Sequence, residues 1–147
     1  MGTPIPEHQR LIRKLLLQLE TLIPDGELFL SPLDVVLDDE NIPQPDLMWV
    51  AANSGCQIGD KRLYGAPDLI VEVFSPGTAH YDKSIKFRLY EKFGVRTYWM
   101  VDPTEKYVEV WQLVEGKFVQ QGVLGVDETF ASAVLGDKIV KITPIFS

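Results

Sequence analysis

The sequence predicts a mixed α/β fold, an α+β sheet flanked by helices. Three observations carry that expectation. Short apolar strand patterns are interleaved with two helical patterns. Residues 68–101 read strand, helix, strand, with links too short to separate the parts in space. A strand pair turned at Glu115-Gly116 follows, as a C-terminal β-hairpin. At 147 residues the chain is expected to form one domain, residues 1–147, able to bury a core.

The elements follow in order. Residues 6–23 read as an amphipathic helix, with Leu11, Ile12, Leu15, Leu19 and Leu22 on one face and His8 one turn before them. Pro24-Asp25-Gly26 ends it. Residues 27–37 alternate loosely and read as one strand, closed by the polar turn Asp38-Asp39-Glu40-Asn41. Residues 46–51 read as a second strand, entered through Pro43 and Pro45. Residues 52–66, with Gly55, Gly59 and Gly65, read as loop. Residues 68–74 form a third strand, broken by Ser75-Pro76-Gly77. A second helix spans 79–93 and stops at Gly94. Residues 96–101 make a fourth strand, 107–114 and 117–124 the hairpin, and 138–146 a short strand or helical turn.

Composition narrows the function classes. The net charge of −7 argues against a broad basic surface for nucleic acid, though not against a local one. One cysteine, Cys56, cannot form an internal disulfide and fits a reducing, cytoplasmic setting. With only Cys56, His8 and His80, a Cys/His zinc site of the usual spacing is excluded. No apolar run approaches a membrane span, and no signal-peptide pattern opens the chain.

The chemistry concentrates on the third strand. Glu72 stands among Ile70, Val71 and Val73, where an ionised carboxylate is costly unless a cation or donor meets it. Alternation puts Asp68 and Glu72 on one face. Their α-carbons are about 13 Å apart, too far to share one metal ion as direct ligands. A partner for Glu72 should come from the neighbouring strand, and Asp46 is the candidate. Asp68 suits a strand-end cap or an outer position. On the second helix Ile85, Leu89, Phe93 and Tyr90 are expected to define the apolar face. Asp82 and Lys86, spaced i and i+4, project into its middle, and Lys83 lies at its boundary, towards solvent. A buried ion pair on a core helix is the plainer reading of Asp82 and Lys86. Two carboxylates with a lysine can also hold Mg²⁺, or Mn²⁺, against a phosphodiester. Trp49, Tyr98, Trp99 and Trp111 are read as core or interface aromatics. Cys56 has no partnering base, and Lys61-Arg62 reads as a solvated loop pair.

Pro45-Asp46, Gly65-Ala66-Pro67-Asp68-Leu69-Ile70-Val71-Glu72-Val73-Phe74-Ser75-Pro76, Tyr81-Asp82-Lys83-Ser84-Ile85-Lys86, Tyr90, Gly94-Val95 and Tyr98-Trp99-Met100-Val101-Asp102-Pro103 form an ordered series. It resembles the Uma-two family of restriction endonucleases, within the PD-(D/E)XK nuclease superfamily. The resemblance implies a restriction-endonuclease-like core and a Mg²⁺-dependent endonuclease acting on DNA. It implies catalytic roles for Asp46, Glu72 and Lys86, with Asp46 and Glu72 as metal ligands. Asp68, Asp82 and His8 are implied as supporting residues. Phe74 stands where the superfamily lysine is expected, and Lys86 on the next helix takes its place. The chain also departs from the family pattern at Thr97, where Glu is common, and at Leu135-Gly136-Asp137, where Pro-Gly is usual. A segment ending in a turn like Glu-Leu-Ile-Asp-Gly-Glu, expected before the first helix, has no counterpart.

Two readings of different kind follow. One is a DNA phosphodiesterase. The other is a nuclease fold kept as a binding or regulatory module without turnover, favoured by the acidic charge and the absent segment. A site acting on some other phosphate ester is a third. Cutting both strands suits a homodimer, with the apolar C-terminal hairpin as its expected interface.

Overall fold

The apolar stripe near the N-terminus folds as helix α1 (Pro6–Leu22), which buries Leu11, Leu15 and Leu19. The structure is a computed structural model and describes residues 6–74 and 79–147, without the side chains of residues 79–82. After α1 come β1 (Glu27–Leu30), β2 (Val35–Val36), β3 (Leu47–Val50), β4 (Gln57–Ile58), β5 (Leu63–Tyr64) and β6 (Leu69–Val73). Helix α2 (Ala79–Phe93) leads to β7 (Thr97–Asp102), then β8 (Tyr107–Val114) and β9 (Lys117–Gly125). The chain closes with β10 (Thr129–Ser132), a 3-10 turn (Ala133–Leu135), β11 (Lys138–Lys141) and α3 (Thr143–Phe146).

The central sheet runs β1-β3-β6-β7-β8-β9. Only β6 and β7 pair in parallel, as a strand–helix–strand crossover requires. The result is the mixed sheet with few helices that the sequence predicts. Every residue of β3 and β6 is buried, so both faces of these strands are covered. Leu47, Trp49, Leu69, Val71, Val73 and Trp99 pack on one face with Leu11, Leu15 and Leu19 of α1. Met48, Val50, Ile70, Phe74, Tyr98 and Met100 pack on the other with Tyr90 of α2. Gly94 lets α2 stop where it does. Its φ of 83° lies in the left-handed region that glycine adopts freely, and its N–H returns to the Tyr90 carbonyl at 3.1 Å.

The structure departs from the sequence reading in five places. Residues 27–37 are not one strand. Pro32, which has no N–H to give a ladder, separates β1 from β2, and β2 joins a small sheet ordered β2-β5-β4. The stretch 52–66 is therefore not all loop: it holds β4 and β5, each two residues long and too short to show periodicity. The tail gives both a strand, β11, and the helical turn α3, and β11 pairs with the unforeseen β10. Ile85 is 47% exposed rather than part of the apolar face. The buried side of α2 is instead rotated towards Phe87 and Tyr90, because Phe87 packs edge-on against Trp111 of β8 and Phe118 of β9. Lys83 is drawn off the solvent side to Glu109 of β8, 3.4 Å away. The break at Ser75-Pro76-Gly77 lies outside the described residues.

Candidate active site

Strand alternation aims Glu72 at the α2 face, between Ile70 and Phe74. It is only 2% exposed. Lys86, one turn before Tyr90 on α2, reaches down to it. Lys86 Nζ donates to Glu72 Oε1 at 2.7 Å. From the adjacent strand, the Tyr98 hydroxyl donates to Glu72 Oε2 at 3.1 Å. Burial pushes the Glu72 carboxyl pKa up. The Lys86 charge and hydrogen bond oppose that rise without cancelling it, the Asp46 charge adds to it, and the Tyr98 hydrogen bond opposes it. Tyr90 and Tyr98 are held well above the usual phenol value by burial first and the Glu72 charge second, so both stay protonated. The Tyr90 hydroxyl is buried beside this carboxylate with no hydrogen-bond partner among the described residues.

Asp46 lies one residue before β3. The antiparallel register Leu47↔Val71, carried one step further, sets it opposite Glu72. Cross-strand neighbours of this kind have Cβ atoms about 4.5–5.5 Å apart. Asp46 is fixed at both oxygens. Oδ2 accepts the Val73 N–H at 2.8 Å, and Oδ1 lies 3.4 Å from His8 Nε2 on the first turn of α1. Asp46 raises the pKa of His8, chiefly as a hydrogen-bond acceptor and also by its charge, against partial desolvation. Lys86 therefore contacts Glu72 directly, and the strand register sets Asp46 opposite Glu72 at the same end of the sheet. His8 joins them from α1. It is partly buried, with Nε2 turned to Asp46.

Asp68 sits at the opposite end of β6. One oxygen accepts the Ala51 N–H at 2.9 Å and the other faces Arg96 at 3.2 Å, tying β3 to the start of β7. Its place is structural. Asp68→Ala should lower stability by about 1–3 kcal/mol, the usual cost of stranding a buried donor. A thermal melt measures this, and any Mn²⁺-induced rise in melting temperature should stay as in the unsubstituted protein. The side chain of Asp82 lies outside the described residues.

Several residues find other roles. The Cys56 thiol is buried and pushed up to about 11, by desolvation first and the Asp68 charge second. That disfavours the thiolate at neutral pH. Arg62 pairs with Asp34 at 3.0 Å. Trp49 Nε1 donates to the Asp25 carbonyl at 2.8 Å, and Thr97 is buried opposite Leu69. Sequence reasoning missed Tyr98 as a Glu72 partner. The available signal was alternation: Tyr98 shares the α2 face with the acid, on the strand that follows the crossover.

The same transverse row of the sheet extends further. Met100 pairs with Glu72, and Glu109 with Met100. Two lysines one turn apart on α2 thus each meet an acid of this row, Lys86 at Glu72 and Lys83 at Glu109. Among the described residues no three His, Cys, Asp or Glu side chains cluster closely enough to hold a metal ion. Asp46 and Glu72 form a pair, so an ion there would complete its shell with water or substrate oxygen.

The mixed α+β fold is shared with a solved structure. That structure is of a "putative nuclease belonging to DUF820" from Anabaena variabilis. It is 18% identical, with a TM-score of 0.74, and the match covers 99% of this chain and 83% of that one. No curated protein matches the chain. The family described as "Uma2: Putative restriction endonuclease" matches residues 1–140, and the chain belongs to that family. No helix among the described residues is long and apolar enough to cross a membrane.

Proposed function

We propose that this protein is a divalent-metal-dependent endonuclease that hydrolyses phosphodiester bonds of DNA. One observation carries the proposal: Glu72, 2% exposed in an apolar layer, stands opposite a second acid and within 2.7 Å of a lysine from the crossover helix. A core gains no stability from such a group. Replacing buried ion pairs with apolar residues is often neutral or stabilising. A buried carboxylate with a specific charge partner fits a working role.

The residues present suit Mg²⁺ or Mn²⁺. Both candidate ligands are carboxylates, the oxygen donors these hard ions prefer. Desolvation has already raised the Glu72 pKa, a cost that a cation would offset. Asp46 and Glu72 would hold the ion, which when bound polarises the phosphoryl group and acidifies a water. The remaining work falls to the chain. Tyr98 and the Val73 N–H fix the two carboxylates in direction. Lys86, 31% exposed in its side chain, faces both the acid and solvent. It is placed to orient the attacking water and to stabilise charge on the phosphoryl oxygens as the new P–O bond forms and the ester P–O bond breaks. His8, its pKa raised, supports Asp46 from the α1 side.

A second reading has an observation of its own. Lys86 already neutralises Glu72 without a metal, and no three-residue cluster is present among the described residues. A nuclease fold kept as a binding module would look the same. Cleavage separates the two. Supercoiled plasmid or single-stranded circular DNA should be nicked in Mg²⁺ or Mn²⁺ and left intact in EDTA. No cleavage of either substrate with either ion would remove the nuclease reading in favour of the binding module.

A further inference from the structure

A groove of about 490 Å³ opens beside the candidate site and shares His8 and Asp46 with it. Its far wall is Leu30, Ser31 and Pro32, and its near wall is the α1 stripe Gln9, Ile12, Arg13 and Leu16. The exposed lining is mainly apolar in area. Three features bear on what it would hold.

The first is continuity. A phosphate engaged at Asp46 would leave its own nucleotide at the mouth of this groove. The second is charge. Arg13 and His8 line the groove in a chain of net charge −7, and Arg13 forms no ion pair among the described residues. A guanidinium is suited to both phosphate contact and base stacking. The third is a fixed amide. Gln44 Nε2 donates to Asp34 Oδ1 at 2.8 Å, and Asp34 is held in turn by Arg62 at 3.0 Å. That uses one of the two Nε2 hydrogens and leaves the Gln44 carbonyl oxygen, unpartnered among the described residues, to accept from the donor edge of a base.

An apolar slot with a stacking cation and an oriented amide matches a single nucleobase better than a duplex backbone. A duplex would call for a long basic track, which the acidic composition does not favour. We infer that the groove receives one unstacked nucleotide next to the scissile phosphate, so that a single strand is bound in preference to an intact duplex. This deepens the endonuclease reading and rests on it.

The test uses the full chain and a short oligonucleotide carrying one 2-aminopurine, in Ca²⁺. Fluorescence should report binding of the single strand at least about tenfold tighter than of the same sequence as a duplex. Leu30 is 40% exposed, so Leu30→Trp can fill the groove without entering the core. It should abolish that preference while melting as cooperatively as the unsubstituted protein. Arg13→Ala and Gln44→Ala, both at exposed positions, should each weaken single-strand binding several-fold. Equal affinity for single strand and duplex would overturn the proposal, as would Leu30→Trp binding single strands unchanged. If Leu30→Trp cuts single-stranded DNA at the unsubstituted rate, the groove assignment fails and the endonuclease reading stands. If the single-strand preference is present but nothing is cut in Mg²⁺ or Mn²⁺, the groove assignment stands and the endonuclease reading fails.

Discussion

Glu72→Gln is expected to lower metal-dependent cleavage by at least about 10²-fold, in the range lost when one preorganised charge-stabilising group is removed. The same substitution should not destabilise the metal-free protein. Burial is the largest influence on Glu72 and raises its pKa. A carboxyl with a folded pKa above its ordinary value of 4.5 gives stability that is fully present below the unfolded pKa. That stability is lost as pH rises through the folded pKa. Glutamine carries no such dependence and still accepts from Lys86. In EDTA, Glu72→Gln should therefore gain in melting temperature relative to the unsubstituted protein as pH rises from about 4 to neutrality. Equal cleavage by the two proteins would remove Glu72 from the mechanism. A relative loss of stability with rising pH would contradict the assignment of its pKa shift.

Lys86→Met separates binding from rate. The aliphatic stem survives, so α2 keeps its packing while the charge is lost. Cleavage should fall by about 10²–10³-fold. The metal-free protein should lose about 1–3 kcal/mol, since Glu72 keeps only the Tyr98 hydrogen bond. Added Mn²⁺ should then raise the melting temperature of Lys86→Met more than that of the unsubstituted protein, because the ion replaces a missing partner. A calorimetric Mn²⁺ titration and a single-turnover cleavage assay check the two halves. An unchanged rate would remove Lys86 from the chemistry.

Local patterns made much of the site visible in advance. An acid in a run of Ile and Val marks a buried carboxylate, because strand burial is written in adjacent residues. Helical spacing places Lys86 towards the core for the same reason. The strand-helix-strand unit 68–101 could be read because its links are short. Readings that depended on distant partners fared less well. Ile85 is as apolar as Leu89, and only the aromatic packing of Phe87 on β8 and β9 shows that α2 is rotated away from it. Lys83 looked solvated because Glu109, its partner, is 26 residues away. The split of residues 27–37 depends on β2 finding β5 across a loop. Tyr98 carried a signal on its own strand, but its hydroxyl acquires meaning only once β7 lies beside β6.

Asp46 and Glu72 are proposed to hold a divalent ion together. Crystals grown with Mn²⁺ and measured for its anomalous scattering test this most directly. One anomalous peak is expected within coordination distance, about 2.0–2.2 Å, of a carboxylate oxygen from each residue, with Lys86 beside it. A well-ordered crystal with no peak there, or a peak elsewhere with Lys86 still closed on Glu72, would contradict it.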